Sequence, residues 1–354
     1  MQSLSFANPR RSQYAFFEGQ NWATVNADIY LPQGLTGPAP LVIICPELGS
    51  NRRTFAYVAQ HLASRGFAVA AIEQPGANTE AVERAFAGDY TIQGSVQFVA
   101  RPMYVSMLLD ELQRLSDFDP LWKGRLDMTR IGALGHSWGG YTVLALAGAN
   151  IDYNFVRRIC NIKNQLVVLV NPSVLLQCVL DSNPLPEIDL KDTRIKAVFG
   201  VNPLATAVSG PTGIAQIQIP TMILTASEDI FSRPVSEQIN PFRWLTTKNK
   251  YLVLARNATH FTPTLSQKAT DSAFNLPEWM LGPPPEQMFG ALNALSTAFF
   301  KTYLEGAERY AAYLSEDYVR TLGQEPMKFS LVTALDEGIK QRLEAQFLKY
   351  VGEP

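Results

Sequence analysis

The sequence predicts an α/β fold: a mostly parallel central sheet with helices on both faces, a lid-like insertion and a helical C-terminal extension. Three observations predict it. Short continuous apolar runs, the pattern of strands buried on both faces, alternate with helical patterns. That alternation implies crossover connections between parallel strands. The length, 354 residues, suits one large α/β domain with insertions better than two full-sized domains.

Taken in order, the alternating run Thr24 to Leu31 predicts an antiparallel strand at the edge where the chain enters the sheet. Leu41-Val-Ile-Ile-Cys45, ahead of Pro46 and Gly49, predicts a central parallel strand. Phe55 to Ser64 repeats apolar residues at helical spacing, Gly66 supplies a stop, and Phe67 to Ile72 is again strand-like. The next helix is expected around Pro102 to Leu115, with Pro102 in its first turn, where a missing N–H costs nothing. Then come the strand Arg130 to Leu134, a helix from about Trp138 to Gly148, and strands at Ile195 to Val201, Thr221 to Thr225 and Tyr251 to Leu254. Asn150 to Asp192 is long for a connection and suits a lid over the site. Within it Val174 to Leu180 is apolar, and Leu166 to Val170 reads equally well as a core strand. Met288 to Tyr313 predicts one long helix, approached through Pro283, Pro284 and Pro285, and Ser315 to Pro354 reads as helical, amphipathic around Ala334 to Leu348. The expected organisation is a single domain over 1–354, with an insertion at 150–192 and a helical extension at 286–354.

Composition narrows the function. Thirty Lys and Arg against 32 Asp and Glu leave a formal charge of −2, with no long basic run to mark a nucleic-acid or membrane-surface footprint. A small-molecule partner is expected. No stretch of 18 apolar residues occurs, and Met1 to Phe17 lacks a signal-peptide core, so the expectation is a cytoplasmic protein without an integral membrane segment. A periplasmic or secreted location would need a missing leader. Three cysteines are too few for a disulfide scaffold; Cys160 and Cys178 have the option of pairing in an oxidising compartment, leaving Cys45 in an apolar strand.

The strongest local signal is Gly135-His136-Ser137-Trp138-Gly139-Gly140, a G-x-S-x-G sequence between a buried strand and a helix. A serine at that junction sits in a sharp turn that requires small residues two before and two after it, and Gly135 and Gly139 meet the need. A protonated hydroxyl is a poor nucleophile, so a base must take its proton and a carboxylate must orient the base. The chain has three histidines. His136 is expected to point away from the nucleophile's side of the turn, and His61 belongs to an early helix. The base is therefore His260, in the loop after Tyr251 to Leu254. The acid is expected after Thr221 to Thr225, as Asp229, with Glu228 as the neighbouring alternative. Oxyanion donors are expected from the backbone N–H of Trp138 and that of Leu48.

With these residues assembled, the chain resembles the α/β-hydrolase superfamily, and within it the predicted dienelactone hydrolase and platelet-activating-factor acetylhydrolase-like group. The resemblance spans roughly Pro40 to Thr262 and is carried by Leu48-Gly-Ser-Asn-Arg-Arg-Thr-Phe55, Gln74-Pro-Gly-Ala-Asn-Thr79, Arg130 to Tyr141 around the elbow, and Ala258-Thr-His-Phe261. It implies an α/β-hydrolase fold and a Ser-His-Asp carboxylic-ester hydrolase without a metal or organic cofactor, and it favours Ile195 to Val201 as the sixth core strand. Two departures matter. Relatives usually carry His-Gly before the oxyanion residue, where this chain has Pro46-Glu47, so anionic acyl groups should be disfavoured. Acetylhydrolase-type relatives can place the acid after the sixth strand, where this chain has Asn202, which strengthens Asp229. The expected activity is hydrolysis of uncharged, fairly hydrophobic esters through an acyl-enzyme. A lipase, polyester hydrolase or thioesterase would use the same constellation, and a non-catalytic binding protein is the alternative outside enzymes.

Overall fold

The computed structural model describes residues 1–7, 24–34, 37–89, 92, 94–161, 171–264 and 277–351. Nine strands form one sheet: β1 (Gln2–Ala7), β2 (Thr24–Tyr30), β3 (Ala39–Cys45), β4 (Ala68–Ile72), β5 (Leu126–His136), β6 (Ile195–Val201), β7 (Thr221–Ala226), β8 (Lys250–Arg256) and β9 (Lys328–Val332). Their order is β1-β2-β4-β3-β5-β6-β7-β8-β9. Neighbours from β4 through β8 run parallel, and β1, β2 and β9 pair antiparallel at the two sides. The protein is therefore an α/β molecule with a mostly parallel sheet.

Side-chain alternation divides the sheet between two apolar layers. On β3, Leu41, Ile43 and Cys45 join one layer, packed by α3 (Gly94–Phe118) and α4 (Trp138–Leu146). Val42 and Ile44 point the other way, into a layer packed by α1 (Ala56–Ser64) and α10 (Glu286–Glu305). Coverage on both faces explains why β3, β4 and β7 are buried at every position while the outer strands β1 and β9 alternate. The remaining helices are α2 (Thr79–Phe86), α5 (Tyr153–Cys160), α6 (Pro172–Ser182), α7 (Thr206–Ile214), α8 (Asn240–Trp244), α9 (Glu278–Leu281), α11 (Glu316–Thr321) and α12 (Glu337–Val351). Among the described residues no helix is long and apolar enough to cross a membrane.

Several expectations are corrected. Pro102 lies in the interior of α3, which starts at Gly94, not in a first turn. A proline there leaves the carbonyl four residues back without its N–H partner, and the Tyr141 hydroxyl donates to that Phe98 carbonyl at 2.9 Å instead. The strand Thr24–Tyr30 lies one place in from the edge, because β1 pairs outside it. The long C-terminal helix ends at Glu305, where Gly306 takes a left-handed φ of 65°, and a 3₁₀ turn over Glu308–Tyr313 follows. The 286–354 region is not wholly helical: it supplies β9, which pairs with β8.

The segment between α4 and β6 holds α5 and α6, with Val174 to Leu180 inside α6. Leu166 to Val170, read as either lid or strand, lies outside the described residues. Cys160 and Cys178 are joined by a disulfide that ties α5 to α6, and Cys45 is free and buried.

Candidate active site

The carboxyl ends of the parallel strands bring the sequence-derived residues together. β5 runs straight into Ser137, whose φ of 54° and ψ of −118° make it the sharp corner between strand and helix. Holding a non-glycine residue there costs about 1–3 kcal/mol, supplied by the surrounding packing. The flanking glycines explain how the corner fits. A Cβ on Gly135 would lie 2.1 Å from the Gly139 carbonyl oxygen, and one on Gly139 would lie 2.1 Å from that of Cys45. The Ser137 N–H donates to Val201 on β6 at 2.9 Å, which fixes the turn to the sheet.

The loops after β7 and β8 converge on that corner. His260 Nε2 lies 2.9 Å from Ser137 Oγ, and His260 Nδ1 lies 2.6 Å from Asp229 Oδ2. Asp229 is buried and its other oxygen accepts the N–H groups of Phe231 at 2.9 Å and Ser232 at 2.7 Å. A carboxylate accepts from Nδ1–H, so the neutral ring keeps its hydrogen there and presents an acceptor to the serine hydroxyl. Glu228, the alternative acid, is exposed and takes a hydrogen bond from Ser227. His61 sits on α1.

Trp138 is the first residue of α4, where no carbonyl one turn back is available to accept its N–H. Leu48 lines the same cavity as Ser137 and Trp138. The carbonyl just before that loop is gripped from behind: Arg101, fully buried on α3, donates Nη2–H to Pro46 O and Nε–H to Thr142 Oγ1, and its guanidinium lies over the Trp138 ring. Burial pulls the Arg101 pKa down to about 10, with Cys45 and Glu47 opposing.

A cavity of about 300 Å³ opens beside Ser137, with Leu48, Trp138, Leu176, Leu204, Phe231 and Phe261 as its apolar walls. Leu176, Pro172 and Ser173 come from α6, so the insertion forms part of the wall. A second cavity, about 330 Å³, shares Phe231 and His260 and is flanked by Trp279 and Ile230.

Four residues that sequence reasoning assigned no part in the site are built into it. His136 meets the base from behind. Its Nε2 lies 2.9 Å from the His260 carbonyl and its ring 4.8 Å from the His260 ring. Asn202, at a φ of 43°, accepts from Ala226 N–H at 2.9 Å and donates to the His260 carbonyl at 3.4 Å, bracing β6 against the neighbouring loops. Arg101 and Phe231 carried no local motif; only an arginine inside the apolar run Phe98 to Val105 hinted at the first. Compared with known proteins, the chain matches no family model and no curated protein.

Proposed function

We propose that the protein is a serine esterase of the α/β-hydrolase type, with Ser137 as nucleophile, His260 as general base and acid, and Asp229 as the orienting carboxylate. The observation that carries the reading is the relay from Ser137 Oγ through both ring nitrogens of His260 to Asp229, at 2.9 and 2.6 Å. Three residues distant in sequence meet with the polarity that proton abstraction requires.

In the first step Ser137 Oγ bonds to the ester carbonyl carbon while its proton passes to His260 Nε2. The carbonyl oxygen becomes an oxyanion, for which the N–H groups of Trp138 and Leu48 are the proposed donors. Collapse breaks the bond to the alcohol oxygen, which leaves with the proton from Nε2. Water then adds to the acyl-enzyme, giving its proton to Nε2, and the second collapse returns that proton to Ser137 and releases the acid. Asp229 holds the imidazole throughout.

The cavity supports an uncharged, hydrophobic acyl group of modest size, since its walls are mostly apolar. The test is a panel of uncharged esters graded in acyl length, with Ser137→Ala as control. Turnover that peaks at short to medium acyl chains and vanishes in the control is expected. Absence of turnover across the panel, or turnover that persists in Ser137→Ala, would refute the assignment.

A further inference from the structure

We infer that Glu47 and His136 form a proton-sharing pair behind the proposed triad, positioning the base loop and the oxyanion loop together. The inference rests on the esterase reading for its role in turnover.

His136 is fully buried, one residue before the nucleophile. Its Nε2 is 2.9 Å from the main-chain oxygen of His260. A carbonyl only accepts, so this nitrogen must carry hydrogen. The other nitrogen, Nδ1, is 3.3 Å from Glu47 Oε2. A neutral imidazole has a single N–H, and that one is already used. With a carboxylate opposite Nδ1, two lone pairs would face each other in a site without solvent. Moving the hydrogen to Nδ1 only transfers the mismatch to the His260 carbonyl. Neither Nδ1 nor Oε2 has any hydrogen-bond partner among the described residues, and Glu47 Oε1 is already engaged by the Ser50 hydroxyl. The contact closes only when a second proton lies between ring and carboxyl.

The surroundings set where that proton sits. Burial pushes the Glu47 carboxyl up, but His136 and the Ser50 hydroxyl outweigh it and hold it below the ordinary carboxylate range. Burial pulls His136 below its ordinary value, against the opposing pull of Glu47. The carboxylate is ionised and the second ring proton is the labile one. Arg101 and Tyr57 are the other ionisable groups facing Glu47, and His260 and Asp229 those facing His136.

Glu47 lies between Pro46 and Leu48, the proposed oxyanion loop after β3, whereas the His260 carbonyl belongs to the loop after β8. The doubly protonated ring bridges the two across the nucleophile's own strand. It also leaves the pair neutral, so no unbalanced charge sits 4.8 Å from the His260 ring. As pH rises and the second proton leaves, the bridge opens.

The experiment uses the full chain with ¹⁵N-labelled histidine, whose three residues are assigned by single substitutions, and reads ring protonation between about pH 5 and 9. His136 is expected to carry two ring protons at the acid end and to lose the one on Nδ1 as pH rises. In Glu47→Gln the amide donates to Nδ1 while its oxygen still accepts from Ser50, so the ring should keep a single proton, on Nε2, throughout. In parallel, the ratio of kcat for Glu47→Gln to kcat for wild type should rise with pH by about tenfold, at nearly constant KM. Glu47→Leu, which leaves Nδ1 without a donor, should lower kcat at every pH; if it does not fold, Glu47→Gln alone decides. A wild-type His136 with one ring proton at every pH, or a flat kcat ratio, would overturn the inference. Absence of ester turnover alongside the expected spectra would instead refute the esterase reading and leave the pair intact.

Discussion

At the scale of single residues, the proposed mechanism depends on a few atoms that allow no substitute. Ser137→Ala and His260→Ala each remove one end of the proton path, and Asp229→Asn places an amide where Nδ1–H needs an acceptor. Each change is expected to lower ester turnover by about 10⁴-fold while leaving the thermal midpoint near wild type, measured by steady-state kinetics and calorimetry. Arg101 makes a different prediction. Its charge is fully buried with no carboxylate among the described residues in direct contact, while its Nη2 holds the Pro46 carbonyl. Arg101→Met removes a costly buried charge together with that grip, so kcat is expected to fall about 10- to 100-fold without a comparable loss of stability. A lowered midpoint with unchanged kcat would show that Arg101 serves folding alone. Ser137 and His260 were legible because a strand–serine–helix junction and a scarcity of histidines leave few assignments. The surroundings of His136 were not legible, since its ring meets Glu47 and the His260 carbonyl, both far away in sequence.

At the scale of elements, the interior proline of α3 and the buried Glu237 show how tertiary contacts override local signals. The sequence pattern predicts a start of α3 around Pro102, because proline suits a first turn. The helix continues through it because Tyr141 satisfies the orphaned Phe98 carbonyl. Tyr141→Phe should therefore destabilise the protein by about 1–3 kcal/mol. The penalty should shrink in a Pro102→Ala background, where a restored backbone N–H can take the same carbonyl; equal penalties in the two backgrounds would contradict the assignment.

Glu237, on the π-helical turn Val235–Ile239, is fully buried and accepts from Asn171 and Gln177 of the insertion and from the N–H groups of Ala205 and Thr206 at the start of α7. It fastens α6, and with it the wall of the cavity, to the core. Glu237→Ala leaves four donors to find new partners and is expected to cost at least about 3 kcal/mol in chemical unfolding. No motif marks this residue in the sequence, because a lone glutamate after a strand reads as a solvated turn.

For the whole molecule, the central strands were legible because apolar runs buried on both faces have few other uses. The sides of the sheet were harder: β1 alternates weakly, and β9 is a five-residue strand that looks like part of an amphipathic helical tail until β8 is there to pair with it.

Charge pairs also hold loops against β2 and beside β6, and their titration sets a direction for stability. Burial raises the carboxyls of Asp28 and Asp192. For Asp28, hydrogen bonds from Ser3 and Arg52, with the charges of Arg52 and Arg53, outweigh that effect; for Asp192, Arg194 and Ser106 do so. Both are held below the usual carboxylate range. Their contribution is present above that range and is lost as pH falls through the lowered values. Glu237 is opposite in sign: burial raises it despite its hydrogen bonds, so its contribution is present at low pH and fades as pH rises through the raised value. Asp192→Asn should make the decline of stability in acid shallower, measured by denaturant unfolding at a series of pH values. An unchanged slope would show that Asp192 does not carry it.

The central claim is that an imidazole supplied by one loop activates a hydroxyl held at a strained corner by another strand. Labelling with a fluorophosphonate, followed by mass spectrometry of the modified peptide, tests it most directly. Wild-type protein should take up one adduct, on Ser137, and His260→Ala should label at least about 10³-fold more slowly. No adduct on Ser137, or equal labelling rates in the two proteins, would contradict it.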